Sequence, residues 1–355
     1  MTEELINENE SIFNWTKFSS NMLRNFEKAI LSHLKLPYRG KYVDIGPCVG
    51  EADKIYTISM NNESKRIPIL LLHGLGAGVA LWVLNLDELA LHRPVYAIDV
   101  LGFGRSSRPQ FADDAMIAEK QLVKSIEEWR KEVGLNEMIV LGHSMGGFLA
   151  ASYALSYPDR VKHLILADPW GFPEKPAVTD SSRKLPLWAR PILAISKHLN
   201  PLWVVRFSGP LGPWILTKSR PDILRKFSGV VENQDDIPNY IHQCNAQKPT
   251  GESAFHTMMQ DFAWAKHPML NRIQDLKNTV PITFIYGANS WLRNNSGEKV
   301  KQIRQETYVN VKYIEGAGHH IYADGGEMFN KLVNEACNIC ETEKQRIVHI
   351  EPNET

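Results

Sequence analysis

Ser144 stands at the centre of Gly142-His143-Ser144-Met145-Gly146, and four apolar residues, Met138 to Leu141, run directly into that segment. Small residues follow at Gly147, Ala150, Ala151 and Ala154. A buried strand, a sharp turn and a helix leaving close behind would project the serine hydroxyl above the end of a sheet. Side chains at positions 142 and 146 would collide where strand and helix cross, so glycine is required there. A serine hydroxyl is a weak nucleophile until a histidine takes its proton, and that histidine needs a group to hold its tautomer. His319 falls in the glycine loop Gly316-Ala317-Gly318-His319-His320, behind the last strand-like run, with His320 as the alternative. The chemistry these residues describe is acyl transfer through a covalent serine intermediate.

The elements that must position them follow from hydrophobic patterning. Strand patterns cover 54–59, 67–72, 94–100, 138–141, 161–167, 280–287 and 309–314, and helical spacing covers 114–134 and 328–343. Strand–helix alternation of this kind predicts an α/β fold with a mostly parallel central sheet. The run Ile67 to Leu72 ends in His73-Gly74-Leu75-Gly76-Ala77-Gly78. A backbone N–H from that loop, with Leu75 the expected donor, would join the N–H of Met145 in an oxyanion hole. The glycine spacing there lacks the dinucleotide fingerprint. Leu101 to Pro109 is a second glycine-rich turn, read as a structural loop beside the site.

From Pro169 to Pro268 the alternation stops, and twelve of the twenty prolines and five of the nine tryptophans fall in this stretch. An insertion of this size between two sheet strands is expected to form a helical cap (169–268) over a core made of 41–168 and 269–355. The large apolar residues from Leu185 to Leu216 suit a long-chain substrate, although most of them would serve as the cap's own core. Residues 1–40 form the remaining segment. Trp15, Phe18, Met22, Phe26, Ile30 and Leu34 share one helix face, ringed by lysine and arginine. Such a helix can lie in a membrane interface or pack on its own domain, and the pattern serves both.

Bulk properties exclude several classes. Forty basic residues balance forty acidic ones, so no net charge draws the chain to nucleic acid. Four cysteines make no disulfide framework, which suits a reducing, cytoplasmic compartment. Cys337-x-x-Cys340 lies in a helical pattern without a second ligand pair, so no metal is expected, and no motif calls for a cofactor. The N-terminus lacks a signal-peptide pattern. Ile67 to Leu86 contains no Asp, Glu, Lys or Arg, but Pro68, His73 and three glycines divide it into strand, loop and helix start.

His73-Gly74-Leu75-Gly76 with Leu81-Trp82, the run Asp99 to Pro109, Gly142 to Leu149, Asp168-Pro169-Trp170-Gly171-Phe172-Pro173 and His319 to Asp324 together resemble one branch of the α/β-hydrolases. That branch contains the alpha/beta-hydrolase-domain proteins four and five. The resemblance runs from about Pro37 to the last helix. It implies the α/β-hydrolase fold and a lipid substrate, either as an N-acylphosphatidylethanolamine lipase or as a lipid-droplet co-activator of a separate triglyceride lipase. The co-activator type carries Asn at the elbow, and the lipase type carries Ser, as here. The resemblance further implies peripheral association with lipid droplets or intracellular membranes, mitochondrial ones included. A triglyceride lipase or droplet coat protein would be the partner. A lysophosphatidic acid acyltransferase activity through the His-x-x-x-x-Asp motif, here His319 and Asp324, is implied in the same way.

Two departures matter. The branch's triad acid would fall within Ala288 to Arg293, where no carboxylate stands and the expected position holds Arg293. A guanidinium cannot accept the imidazole N–H and would disfavour an imidazolium. The branch's tryptophan-rich lipid anchor is reduced to Trp15 with Phe13 and Phe18. Asp168 ends the strand that should neighbour the acid-bearing one, so it could reach His319 from there; a strand-end aspartate also makes a good cap or turn. The His-x-x-x-x-Asp spacing also occurs at His163 to Asp168, inside a strand. Asp324 with Glu327 is expected to form a capping box for the last helix.

Overall fold

Four of the strands, Ile69–Leu72, Val95–Ile98, Met138–His143 and Ile282–Gly287, are buried along their whole length. Strands covered on both faces need near-continuous apolar runs, which is how these read. The computed structural model describes residues 18–176, 202–261 and 264–348. In chain order the strands are β1 (Tyr38–Gly46), β2 (Asp53–Met60), β3 (Ile69–Leu72), β4 (Val95–Ile98), β5 (Met138–His143), β6 (Val161–Ala167), a short hairpin β7 (Met259–Asp261) and β8 (Trp264–Ala265), β9 (Ile282–Gly287) and β10 (Val309–Ile314). The main sheet has eight strands in the order β1-β2-β4-β3-β5-β6-β9-β10. Pairing is parallel from β4 to β10, and β2 is antiparallel to both β1 and β4.

Side chains of β3 alternate between two cores. Leu70 and Leu72 join the cluster on one face with Leu122, Trp129 and Phe148, while Ile69 and Leu71 join the other with Trp82, Leu86 and Phe329. The helices follow as α1 (Ser20–Leu31), α2 (Val83–Ala90), α3 (Ala115–Val133) and α4 (Met145–Ser156). Asp114 caps α3 by accepting from the Ile117 N–H at 2.9 Å, and Gly134 ends it at φ +78°.

Between β6 and β9 the described chain forms short helices: α5 (Trp203–Phe207), α6 (Gly212–Ser219), α7 (Pro221–Phe227), α8 (Asp236–Asn245) and α9 (Thr250–Met258). Pro213 and Pro221 sit in the first turns of α6 and α7, which fixes where those helices begin. Trp188 and the stretch from Leu185 to 201 lie outside the described residues. Arg108 ties this region to the core. Its Nε donates to Gln247 Oε1 at 3.1 Å, Nη1 to the Gly102 and Lys248 carbonyls at 2.9 and 2.7 Å, and Nη2 to those of Gly104 and Cys244 at 3.1 and 3.0 Å. All five guanidinium donors are thereby used.

The α1 helix turns its apolar face inward. Leu23, Ile30 and Leu31 are buried, and so is Glu27, which accepts from Tyr56 Oη and Arg105 Nη1 at 2.6 Å each. Of the two partners that the sequence left open, residues 20–31 use their own domain; Phe13 and Trp15 lie outside the described residues. Beyond β9 come α10 (Ser296–Ile303), α11 (Ile321–Asp324) and α12 (Gly326–Val348). Cys337 and Cys340 are both buried free thiols on α12.

The capping box expected of Asp324 is absent. Asp324 ends α11, its Oδ2 accepts from the Gly318 N–H at 2.9 Å, and its Oδ1 pairs with Lys226 at 3.1 Å. The one-residue break at Gly325 between α11 and α12 places Asp324 one residue too early to serve as a cap for α12.

Candidate active site

The turn between β5 and α4 holds Ser144 at φ +54° and ψ −117°, a region where non-glycine residues rarely sit. The glycines around it have no room for a side chain. A Cβ on Gly142 would lie 2.1 Å from the Gly146 carbonyl oxygen, and one on Gly146 would lie 2.3 Å from the Leu72 oxygen. The strain is held by backbone bonds to the neighbouring strand end: Ser144 N–H donates to Ala167 at 3.0 Å, and Trp170 N–H donates to Ser144 at 3.1 Å.

Ser144 Oγ lies 3.0 Å from His319 Nε2, and His319 Nδ1 lies 2.5 Å from Asp168 Oδ2. A carboxylate only accepts, so Nδ1 carries the ring proton and Nε2 faces the serine as an acceptor. Asp168 is fully buried and follows β6 at φ +45°, a left-handed turn that aspartate tolerates better than most residues. Its N–H still donates to Ile285 of β9 at 2.8 Å. The structure thus brings Ser144, His319 and Asp168 together.

Arg293 stands elsewhere. It is exposed, donates from Nη1 to the Ala288 carbonyl at 2.9 Å and lies over the Tyr313 ring at 5.5 Å. The expectation that a guanidinium opposes the imidazolium from this position is corrected: the loop curls so that the side chain runs back along β9 and β10. The same loop instead sends Ser290 to the acid. Ser290 Oγ donates to Asp168 Oδ2 and accepts from the Leu292 N–H at 3.1 Å. Ser290 was not singled out in the sequence; its only signal is a hydroxyl in the loop where the carboxylate is missing.

His143 was also missed, although it occupies a variable position of the elbow motif. Its Nε2 donates to the His319 backbone carbonyl at 2.9 Å, which anchors the histidine loop to β5. Burial, and then the adjacent His319 and His320 rings, hold its pKa well below the usual histidine value, so it stays neutral. His320 is likewise held down by burial and by neighbouring cations, and its ring sits 5.4 Å from that of His319. His73 is structural: Nδ1 donates to the Gly74 carbonyl at 2.8 Å, and Nε2 accepts from the Val100 N–H at 3.1 Å.

Leu75 and Met145 flank Ser144, one on the loop after β3 and the other opening α4. Neither N–H has a protein acceptor among the described residues. A cavity of about 520 Å³ opens over the serine. Gly74, Leu75, Ala77, His143 and His319 line its floor, and Leu202, Arg220, Asp222, Lys226 and Phe255 come from the region between β6 and β9. Trp170 closes one side, buried against Phe148 and Phe255 with ring centroids 5.3 and 4.5 Å away. Gly171 has φ +76°, and a Cβ there would meet Phe148 at 2.8 Å, so the Asp-Pro-Trp-Gly-Phe-Pro run has a packing reason. Asn245 Nδ2 donates to the Gly76 carbonyl at 2.8 Å and so ties α8 to the Leu75 loop. Among the described residues no cluster of His, Cys, Asp and Glu has metal-binding geometry.

The family described as alpha/beta hydrolase fold matches residues 67–326. A (lyso)-N-acylphosphatidylethanolamine lipase of Mus musculus is 47% identical over 321 residues, which cover 90% of this chain and 92% of that protein. The 1-acylglycerol-3-phosphate O-acyltransferase ABHD5 of Sus scrofa is 46% identical over 322 residues, covering 90% of each. Among solved structures, a membrane phospholipase A described as a bacterial virulence factor superposes with a TM-score of 0.62 at 21% identity, covering 91% of this chain and 92% of that one. At that identity the likeness speaks for the fold alone.

Proposed function

The chain belongs to the α/β-hydrolase family, and from that premise we propose that it is a serine hydrolase acting on a long-chain acyl lipid, through an acyl-enzyme on Ser144. The observation that carries the reading is the relay of Ser144 Oγ, His319 and Asp168 at 3.0 and 2.5 Å. His319 Nε2 takes the hydroxyl proton as Ser144 Oγ attacks the ester carbonyl. Asp168 holds the Nδ1 proton and stabilises the imidazolium that forms. The Leu75 and Met145 N–H groups receive the developing oxyanion. The imidazolium then returns its proton to the leaving alcohol, and water or a second alcohol, deprotonated by His319, releases the acyl group.

That last choice separates hydrolysis from acyl transfer. Relatives named for each activity stand at nearly equal identity to this chain, and a lysophospholipid hydroxyl in place of water converts one into the other. Residues 169–268 act as the cap in this reading, since Leu202 and Phe255 give the cavity its apolar wall. A lipid droplet or an intracellular membrane is the proposed place of action, a reading that the lipid substrate supports. Phe207, Leu211 and Trp214, exposed at 72, 59 and 61%, offer an apolar contact for such a surface. No helix among the described residues is long and apolar enough to cross a membrane, so the contact proposed is peripheral. A droplet-bound scaffold that activates a separate triglyceride lipase is the second reading, and the observation on its side is the absence of a carboxylate after β9.

A fluorophosphonate probe separates the two. The enzyme reading expects strong labelling of the folded chain, lost in Ser144→Ala, and ester hydrolysis lost with it. Folded protein that takes no label supports the scaffold.

A further inference from the structure

We propose that Arg220 and Lys226 form a headgroup subsite that takes the phosphate of a glycerophospholipid while its acyl ester lies at Ser144. The proposal rests on the lipid-hydrolase reading and deepens it. The cavity over the serine is lined by two chemically different sets of residues. Leu75, Ala77, Trp170, Leu202 and Phe255 suit an acyl chain, whereas Arg220, Asp222 and Lys226 bring charge to the same cavity near His320. Cations lining a lipid-sized cavity are costly unless they meet an anion.

At present the anions are internal. Arg220 donates from Nε and Nη2 to the two oxygens of Asp222, each at 2.9 Å, and its Nη1 has no acceptor among the described residues. Lys226, with a side chain only 11% exposed, lies 3.3 Å from Asp222 and 3.1 Å from Asp324. The Arg220 and Asp222 side chains remain 45 and 37% exposed, and ion pairs that open to water are weakly held. A phosphate offers the guanidinium the same forked geometry with acceptors to spare, so it displaces Asp222 rather than adding to it. His320, which also lines the cavity, is kept uncharged by burial, by the adjacent His319 and by these same cations, leaving Arg220 and Lys226 as the positive charge there.

Asp324 then has a different part from the one its motif spacing implies. With Oδ2 on the Gly318 N–H and Oδ1 on Lys226, it joins the loop bearing His319 to the subsite. It is a positioning residue.

The test uses the full chain carrying Ser144→Ala, so that nothing turns over. Titration calorimetry compares decyl phosphate below its micelle concentration with 1-O-decylglycerol and with inorganic phosphate. Decyl phosphate is expected to bind at least about tenfold more tightly than the neutral ether, with inorganic phosphate far weaker than either. Adding Arg220→Gln should cut that preference about tenfold. Adding Asp222→Asn should raise it, because the guanidinium loses its internal competitor. A general loosening of α7 would weaken both alkyl ligands together and could not give opposite signs for the two halves of one ion pair. An unchanged preference in Arg220→Gln, a lowered one in Asp222→Asn, or inorganic phosphate binding as tightly as decyl phosphate overturns the subsite. Because binding is read without turnover, a failure of probe labelling in the wild-type chain would remove the hydrolase reading and leave this result to stand or fall separately.

Discussion

The ends of β6 and β9 lie side by side, with Ala167 opposite Ile285, and each delivers a loop toward His319. One loop is short and rigid, with Asp168 buried in a left-handed turn and bonded to the neighbouring strand. The other, Ala288 to Arg293, carries no carboxylate, yet its Ser290 reaches the same carboxylate oxygen that holds His319. Adjacent parallel strands end at nearly the same height and a few ångströms apart. An acid can therefore sit on either one without moving the histidine, provided the vacated loop keeps a donor for it. What the relay needs is a charge at a place, and the chain position is secondary.

The largest effect expected from this contrast is at Asp168. Asp168→Asn should lower kcat for a long-chain ester about 10⁴-fold while leaving the fold intact, as loss of a triad acid does in serine proteases. Wild-type rates in that variant would mean that β6 does not supply the acid. Next comes an attempted transfer: Arg293→Asp added to Asp168→Asn should recover no activity, because the contacts of residue 293 are with Ala288 and Tyr313 and not with His319. Recovery toward wild type would show that the β9 loop can still present an acid and that its observed course is not decisive. Ser290→Ala removes a donor from a buried carboxylate and should cost about tenfold in kcat/KM, with the midpoint of thermal unfolding checked alongside. A loss larger than that of Asp168→Asn would reverse the assigned importance of the two loops. The smallest effect belongs to Arg293→Ala, less than about twofold, as for exposed side chains generally.

The elbow was legible because its demand is local. Gly142 and Gly146 are forced by atoms within a few residues, and the apolar run before them marks the strand. The parallel sheet was legible for the same reason, since strands buried on both faces announce themselves by composition. β1 was not, because four of its residues from Arg39 to Tyr42 face water and carry no alternating pattern. The short helix α10 also escaped, with only three of its eight residues buried. The acid could be narrowed to a possibility at Asp168 but not placed, because strand order and register are tertiary facts. Ser290 and His143 were invisible for a related reason: each acts on a neighbour 122 or 176 residues distant in sequence. Nothing in the sequence singles out Arg220 and Lys226, and only the cavity shows what they face.

Arg108 carries a mechanical consequence. Three of its five acceptors, at Cys244, Gln247 and Lys248, belong to the region over the site, and two, at Gly102 and Gly104, belong to the core. Separating the two bodies at that corner would leave a half-buried guanidinium with its donors unmet. Arg108 therefore pins that corner with five hydrogen bonds, whereas at α7 the Lys226–Asp324 ion pair bridges to the loop bearing His319.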